Sequence, residues 1–284
     1  MEHDQIPLTG ERARPRLVII TDLDGTLLDL GTYSYLPALE ALGRIISGGV
    51  PLVFCSSKTS VEQHHYQEQL GVRGVMIVEN GSAVLIPRSY FAYQHPPSRT
   101  TAGHDVIELG DSADWVRSEL DAVRREMGVH FRGFKEIALK ELGRLTGLDA
   151  AAALRAQTRE YSETIVSEMS NVEMKPFLQA LQKRGLSCIQ GSKFHTVVSS
   201  KVDKGRAVRL VTELFRAEFG NVRAAGIGDS TNDEPMLAAV DMAFLLQRPD
   251  GSWESMELAH LNRVEGSGPA AWNRLVCHLL EDKE

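Results

Sequence analysis

Residues 16–26 read RLVIITDLDGT, and this stretch decides the fold. Its first six residues form a continuous apolar run that is rich in β-branched side chains, which is typical of a strand buried on both faces of a parallel sheet. Two aspartates and a glycine follow the run directly. Because ligands of open α/β sheets bind beyond the carboxyl ends of the strands, we predict that Asp22 and Asp24 lie at the mouth of a site.

The sequence on either side alternates short apolar runs with amphipathic segments. This alternation predicts a doubly wound, Rossmann-like α/β core built on a parallel sheet. The predicted strands after the first are residues 51–56, 74–79, 223–227 and 242–246. The predicted helices of this core are residues 36–47, 59–70, 204–219 and 269–280.

The rhythm changes between residues 87 and 199, where a segment rich in Pro, Tyr, Ser and Arg is followed by helix patterns and short strand candidates. We interpret this block as an inserted α+β domain. The core then comprises residues 16–86 and 200–284, and residues 1–15 form a flexible extension.

Composition indicates an ordinary soluble globular protein of 284 residues, 43% hydrophobic and 24% charged. A net charge of −7 without a basic stripe argues against nucleic acid or an anionic membrane as a partner. The three cysteines form neither a disulfide framework nor a zinc motif, and no run reaches the length of a membrane span. We expect a cytoplasmic protein, as a monomer or homodimer.

A second acidic motif, GIGDSTND at residues 226–233, follows the predicted strand at 223–227. Asp229, Asn232 and Asp233 offer hard oxygen ligands, which suit Mg²⁺. Each motif by itself is also compatible with a turn whose aspartates cap the next helix. Their occurrence together, each at the end of a buried strand, favours a shared acidic metal site.

Two further residues complete a candidate phosphate site. Ser56 ends the second predicted strand and offers a hydroxyl and a backbone N–H. Lys204 begins a predicted helix, where its charge can neutralise phosphate, and Lys201 competes for that role.

Asp22-x-Asp24-Gly25-Thr26, Ser56, Lys204 and Gly228-Asp229-x-x-Asn232-Asp233 resemble, in order, the four motifs of the haloacid dehalogenase superfamily. The resemblance implies that Asp22 attacks phosphorus and forms an aspartyl-phosphate, while Asp24 acts as acid and base. It also implies that Mg²⁺ is held by Asp22, the backbone carbonyl of Asp24, Asp229 and Asp233, with Asn232 nearby. Ser56 and Lys204 then hold the phosphoryl oxygens.

An insert between Ser56 and Lys204 is where the C2-type caps of that superfamily sit, and Asn80-Gly81 resembles a loop of the same group. Segments around Ser57, Arg159 and residues 191–195 resemble mannosyl-3-phosphoglycerate phosphatases. This implies a small phosphorylated sugar-acid substrate. The substrate-binding candidates are Ser57, Asn80, Arg159, Ser192, Lys193, His195 and Asn232. Lys193 departs from the arginine expected there, which puts the exact substrate in doubt.

Three alternatives stay open from the sequence. The first is another phosphatase of this scaffold, acting on glucosyl-3-phosphoglycerate, sucrose phosphate, a hexose phosphate or flavin mononucleotide. The second is a non-catalytic protein that binds a phosphorylated ligand, against which the complete acidic set argues. The third is a phosphomutase, which would have to retain the aspartyl-phosphate long enough to pass it on.

Overall fold

A computed structural model describes residues 15–93, 96–167, 169–191 and 194–281, with the side chain of Asn171 left out. The expected extension at residues 1–15 therefore lies almost wholly outside the described residues. The helices are α1 Leu39–Ser47, α2 Ser60–Leu70, α3 Ala113–Met127, α4 Leu139–Thr146, α5 Ala150–Gln157, α6 Asn171–Lys183, α7 Lys204–Phe219, α8 Glu234–Leu237 and α9 Gly268–Glu281. The strands are β1 Arg16–Thr21, β2 Leu52–Cys55, β3 Met76–Val78, β4 Ala83–Pro87, β5 Arg99–Thr100, β6 His104–Glu108, β7 Phe131–Gly133, β8 Ser162–Ser167, β9 Leu186–Gln190, β10 His195–Ser199, β11 Val222–Gly228, β12 Met242–Leu246 and β13 Leu261–Val264.

The large sheet has the order β13-β12-β11-β1-β2-β3-β4-β6-β5. Its strands from β13 to β3 are parallel, while β4, β6 and β5 extend one edge in antiparallel fashion. Strand β1 lies inside the parallel part of the sheet, where it pairs with β11 on one side and β2 on the other. The predicted α/β class with a parallel core sheet is confirmed.

Alternate residues of β1 enter two hydrophobic cores, one on each face of the sheet. Val18 and Ile20 pack with residues of α7 and α8, whereas Leu17 and Ile19 pack with residues of α1 and α9. Burial on both faces explains why β1 reads as a continuous apolar run. Helices on both faces make the core doubly wound.

A second, separate sheet is antiparallel and has four strands in the order β7-β8-β10-β9. Helices α3 and α6 cover one face of this sheet. We call the part from α3 to β10 the cap. The large sheet extends past the boundary expected at residue 87, because β6 pairs with β4 and β5 pairs with β6, so residues up to Glu108 contribute strands to it. Within the described residues, no helix is long and apolar enough to cross a membrane.

Candidate active site

Three aspartates meet at the carboxyl ends of two neighbouring parallel strands. Asp22 follows β1, and Asp229 and Asp233 follow β11, whose Ile227 pairs with Thr21. One carboxylate oxygen from each aspartate lies within 4.8 Å of the others, and all three residues are buried. Gly25 gives room for this approach, because it adopts a φ of +87° and a Cβ there would collide with the Asp229 carboxylate.

Lys204 is the buried cation of this cluster. Its Nζ lies 2.6 Å from Asp22 Oδ1 and 2.6 Å from Asp233 Oδ1. The competing residue, Lys201, is exposed and pairs with Asp111 instead. Lys204 is therefore the lysine that the fold places in the site, at the first turn of α7.

Asp233 holds the acidic loop in place. Its Oδ2 accepts the backbone N–H groups of Asp229 and Ser230, each at 3.1 Å. Its other oxygen faces Lys204. Asn232 lies in the same short 3-10 turn, Thr231–Asp233, beside the cluster.

Burial raises the pKa of Asp22 well above its ordinary value, opposed by Lys204 and assisted by the neighbouring aspartates. Burial and the charge of Asp233 raise the pKa of Asp229 to about 7. Three close carboxylates with one ammonium leave a deficit of positive charge. Hard oxygen donors with such a deficit fit a divalent cation such as Mg²⁺.

Asp24 points away from the three-aspartate cluster toward another lysine. Its Oδ2 lies 3.0 Å from the Nζ of Lys58. Its Oδ1 is buried and has no hydrogen-bond partner within the part of the chain that the structure describes. The two aspartates of the first motif therefore have different surroundings, and one oxygen of Asp24 is available for proton transfer.

Ser56 and Asn80 lie side by side beyond β2 and β3. The backbone N–H of Asn80 donates to the carbonyl of Ser56 at 3.0 Å. Asn80 has a φ of +61°, and both polar atoms of its buried side chain lack partners among the described residues. The next residue, Gly81, packs directly against the backbone of Asp203 and Lys204. The loop at Asn80 and Gly81 therefore lies between Ser56 and the backbone at the start of α7.

Arg159 links the cap to the loop that carries Ser56. Its guanidinium donates to the carbonyl of Ser57 at 3.3 Å and to the hydroxyl of Ser162 at 2.8 Å. Arg159 Nε is buried without a described partner. Of the predicted cap residues, Arg159 is the one that the described structure places beside the core motifs.

The structure gives less information on the other cap residues predicted to contact the substrate, His195, Ser192 and Lys193. His195 pairs with Ile165 in the cap sheet and shares its face, which α3 and α6 cover. Thr164 and Thr196 lie on the opposite face and contact each other. This register adds no support for the substrate contact expected at His195. Ser192 and Lys193 lie outside the described residues.

Two functional candidates were missed in the sequence, Lys58 and Glu79. Glu79 is fully buried and accepts the backbone N–H groups of Glu160 and Tyr161 at 2.9 and 3.1 Å. Burial raises the pKa of its carboxyl group, although Arg159 opposes the shift. Glu79 thus ties the core loop to the start of β8. The only signal for either residue was its position beside Ser56 or Asn80.

Comparison with known proteins agrees with this geometry. Residues 19–248 match the family of haloacid dehalogenase-like hydrolases, and the chain belongs to that family. Within it, the chain is 36% identical over 264 residues to a glucosyl-3-phosphoglycerate/mannosyl-3-phosphoglycerate phosphatase of Methanococcoides burtonii, covering 93% of this chain and 97% of that one. It is 35% identical over 229 residues to a mannosyl-3-phosphoglycerate phosphatase of Pyrococcus furiosus, covering 81% and 90%.

Among solved structures, a protein of Thermoplasma acidophilum has a TM-score of 0.68 at 17% identity, with 94% of this chain and 98% of that chain covered. This likeness shows that the matched 94% of the chain has a fold found in another protein.

The acidic cluster predicts that stabilisation by Mg²⁺ increases with pH. The pKa of Asp229 rises on folding from 3.8 to about 7, so its contribution to metal-free stability is full below 3.8 and is lost as pH rises through about 7. A divalent cation would bind the ionised form of the site. We expect Mg²⁺ to raise the unfolding temperature more at about pH 8 than at about pH 6, relative to EDTA.

Thermal unfolding of Asp229→Asn provides the comparison, since this variant should lose most of the Mg²⁺ increment. Asp114→Asn, which changes an exposed carboxylate on α3, should keep it. An increment that is the same at both pH values, or that survives in Asp229→Asn, would contradict the assignment of the cluster as the metal site.

Proposed function

We propose that the chain is a Mg²⁺-dependent phosphomonoesterase that forms an aspartyl-phosphate, with mannosyl-3-phosphoglycerate as the favoured substrate. The observation that supports this chemistry is that two aspartates at the end of β1 have different surroundings. Asp22 lies in the metal-type cluster beside Lys204, whereas Asp24 has one carboxylate oxygen without a described partner. A nucleophile and an acid–base group need these two environments.

In the proposed first step, an oxygen of Asp22 attacks phosphorus and the bond to the leaving oxygen breaks. Asp24 donates its proton to that oxygen, so the oxygen of the departing sugar acid leaves as a neutral hydroxyl group. In the second step water attacks the phosphorus, gives a proton to Asp24, and displaces the Asp22 carboxylate. Both residues return to their starting states, and one water is consumed for each phosphate released.

The other residues hold the transferring group. Mg²⁺ would be held by Asp22, Asp229, Asp233 and the carbonyl of Asp24, and it would supply positive charge that offsets the repulsion between the nucleophile and the phosphate. Lys204 adds a fixed ammonium beside Asp22. We assign the Ser56 hydroxyl and the Asn80 amide, which has no partner among the described residues, to the phosphoryl oxygens, because the loop at Asn80 contacts Ser56 and packs against the start of α7.

The substrate proposal rests on the named relatives and on Arg159. The two relatives act, by their names, on mannosyl- and glucosyl-3-phosphoglycerate, and their matches extend over most of this chain. Arg159 carries a fixed positive charge at the junction of cap and core. We propose that it binds the carboxylate of the substrate, as guanidinium groups do in a forked geometry. Lys193 remains a second candidate for that carboxylate.

The proposal is tested by phosphate release from mannosyl- and glucosyl-3-phosphoglycerate, sucrose 6-phosphate and glucose 6-phosphate, with Mg²⁺ and with EDTA. We expect a metal-dependent preference for the two glycosyl-phosphoglycerates and no turnover by Asp22→Asn. Weak activity spread over all four substrates would keep the phosphatase and reject the substrate. Absence of release from every compound would reject the proposed function and favour the binding protein or the mutase.

Substitution of Arg159 tests the substrate contact. Arg159→Met should raise KM for the glycosyl-phosphoglycerates by roughly ten- to hundredfold, because a hydrogen bond between charged groups contributes about 1.5–3 kcal/mol. It should leave the hydrolysis of an aryl phosphate nearly unchanged, since that compound lacks the carboxylate.

Arg144→Met, which changes an exposed arginine of α4, serves as the matched control. Equal losses on both kinds of substrate in Arg159→Met would show that Arg159 supports the loop at Ser57 and does not select the substrate.

A further inference from the structure

Lys58 is a buried cation that contacts Asp24. It belongs neither to the three-aspartate cluster nor to the residues assigned to phosphate, which are Ser56, Asn80 and Lys204. Its side chain is 8% exposed, and its Nζ lies 3.0 Å from Asp24 Oδ2 and 3.6 Å from Glu62 Oε1. A buried charge is costly unless it is paired, so these two carboxylates account for its stability. They do not by themselves explain why a charge is placed at this position.

The backbone of Lys58 is held by the same loops that build the site. Its carbonyl accepts the N–H of Glu79 at 3.1 Å and the side-chain amide of Gln63 at 3.3 Å. Its own N–H donates to the Ser56 hydroxyl at 3.3 Å. Hydrogen bonds therefore connect the backbone of Lys58 to Ser56 and to the loop at Glu79, which contacts the cap.

The ammonium group is held from two sides by aromatic rings. Its Nζ lies 5.0 Å from the centre of the Tyr33 ring and 5.7 Å from that of Tyr66. Cations within about 6 Å of an aromatic face are attracted to it. Glu62, for its part, caps α2 through Thr59, which fixes the carboxylate on the other side of Lys58. The direction from which Lys58 approaches Asp24 is therefore set by the fold.

This contact gives the two carboxylate oxygens of Asp24 different surroundings. Oδ2 faces an ammonium donor, so a proton carried by Asp24 resides on Oδ1, the buried oxygen without a described partner. A buried polar atom that lacks a partner is unfavourable and calls for a functional explanation. We propose that Lys58 is a positioning residue: it holds Asp24 so that Oδ1 faces the leaving oxygen and, later, the attacking water. The proposal rests on the proposed function, since it concerns the acid–base step of that reaction.

Steady-state kinetics of Lys58→Met, with Mg²⁺ and the best substrate of the wild type, test this role. Misplacement of a reacting group by about 1 Å can cost roughly 10²-fold. We expect kcat to fall by about that factor with little change in KM, because Lys58 touches Asp24 and not the substrate. Lys58→Arg, which keeps the charge, should recover part of the loss. Lys201→Met, which removes the exposed partner of Asp111, should behave as wild type.

A double-mutant cycle separates action through Asp24 from an independent role. In the Asp24→Asn background the acid–base group is already lost, so removal of Lys58 should have little further effect on the residual turnover of an aryl phosphate. Lys58→Met that raises KM at constant kcat, or that lowers activity by the same factor in both backgrounds, would overturn the proposal.

Circular dichroism and thermal unfolding establish whether each variant folds. If Lys58→Met does not fold, the same cycle is carried out with Lys58→Arg, which keeps the charge but changes the geometry of the contact with Asp24 and should retain a partial loss of activity. Coupling to Asp24→Asn is again expected, and independent losses again overturn the proposal. A wild type that releases no phosphate rejects the proposed function. An active wild type with a fully active Lys58→Met rejects only the role of Lys58.

Discussion

The buried contact between Lys204 and two of the three aspartates is the interaction on which the rest of the site depends. Parallel pairing of β1 with β11 forces Asp22, Asp229 and Asp233 together at one sheet edge. Burial of several carboxylates is unfavourable without compensating charge, which is why the pKa values of Asp22 and Asp229 are raised. Lys204 supplies part of that charge. The remaining deficit of positive charge fits a divalent cation, and such a cation together with Lys204 would offset the charge of the phosphate group that we propose as substrate.

The cap is joined to the core beside this cluster and not at a distant hinge. The Glu79 carboxylate accepts the backbone N–H of Glu160, just before β8. The Arg159 guanidinium donates to the carbonyl of Ser57, and the Ser60 hydroxyl donates to the Glu160 carboxylate at 2.8 Å. Ser57 and Glu79 lie in the loops after β2 and β3, which also carry Ser56 and Asn80, and Ser60 begins α2. The cap therefore contacts the loops that carry the residues proposed to bind phosphate. This arrangement gives a physical route by which the insert could select a substrate for the proposed phosphate site.

The sequence predicted the core well because its signals are local. The bounds of β1 and α7 were predicted to the residue, since a continuous apolar run and an amphipathic helix are strong patterns. Strands β5 and β6 were missed, because they are short and partly polar. The large sheet consequently extends beyond the core segment expected to end at residue 86.

The site divides in the same way. Aspartates at strand ends could be predicted to converge, since parallel strands end at a common edge. The face on which His195 lies depends on the register of the cap sheet, which no local pattern determines. Lys58 was overlooked because a lysine near a helix start is ordinarily a surface residue. Its burial between Asp24, Glu62 and two tyrosines arises only from tertiary packing.

The most direct measurement of the central claim is the detection of the phosphorylated enzyme. With an aryl phosphate, whose leaving group needs little protonation, Asp24→Asn should slow mainly the second step because it lacks the base that activates water, so the intermediate should accumulate after this substrate and Mg²⁺ are added. Acid quenching, digestion and mass spectrometry are then predicted to find one phosphoryl group on Asp22, and none in the variant that also carries Asp22→Asn. A phosphoryl group on another residue, or phosphate release by Asp22→Asn at the rate of the wild type, would contradict the account.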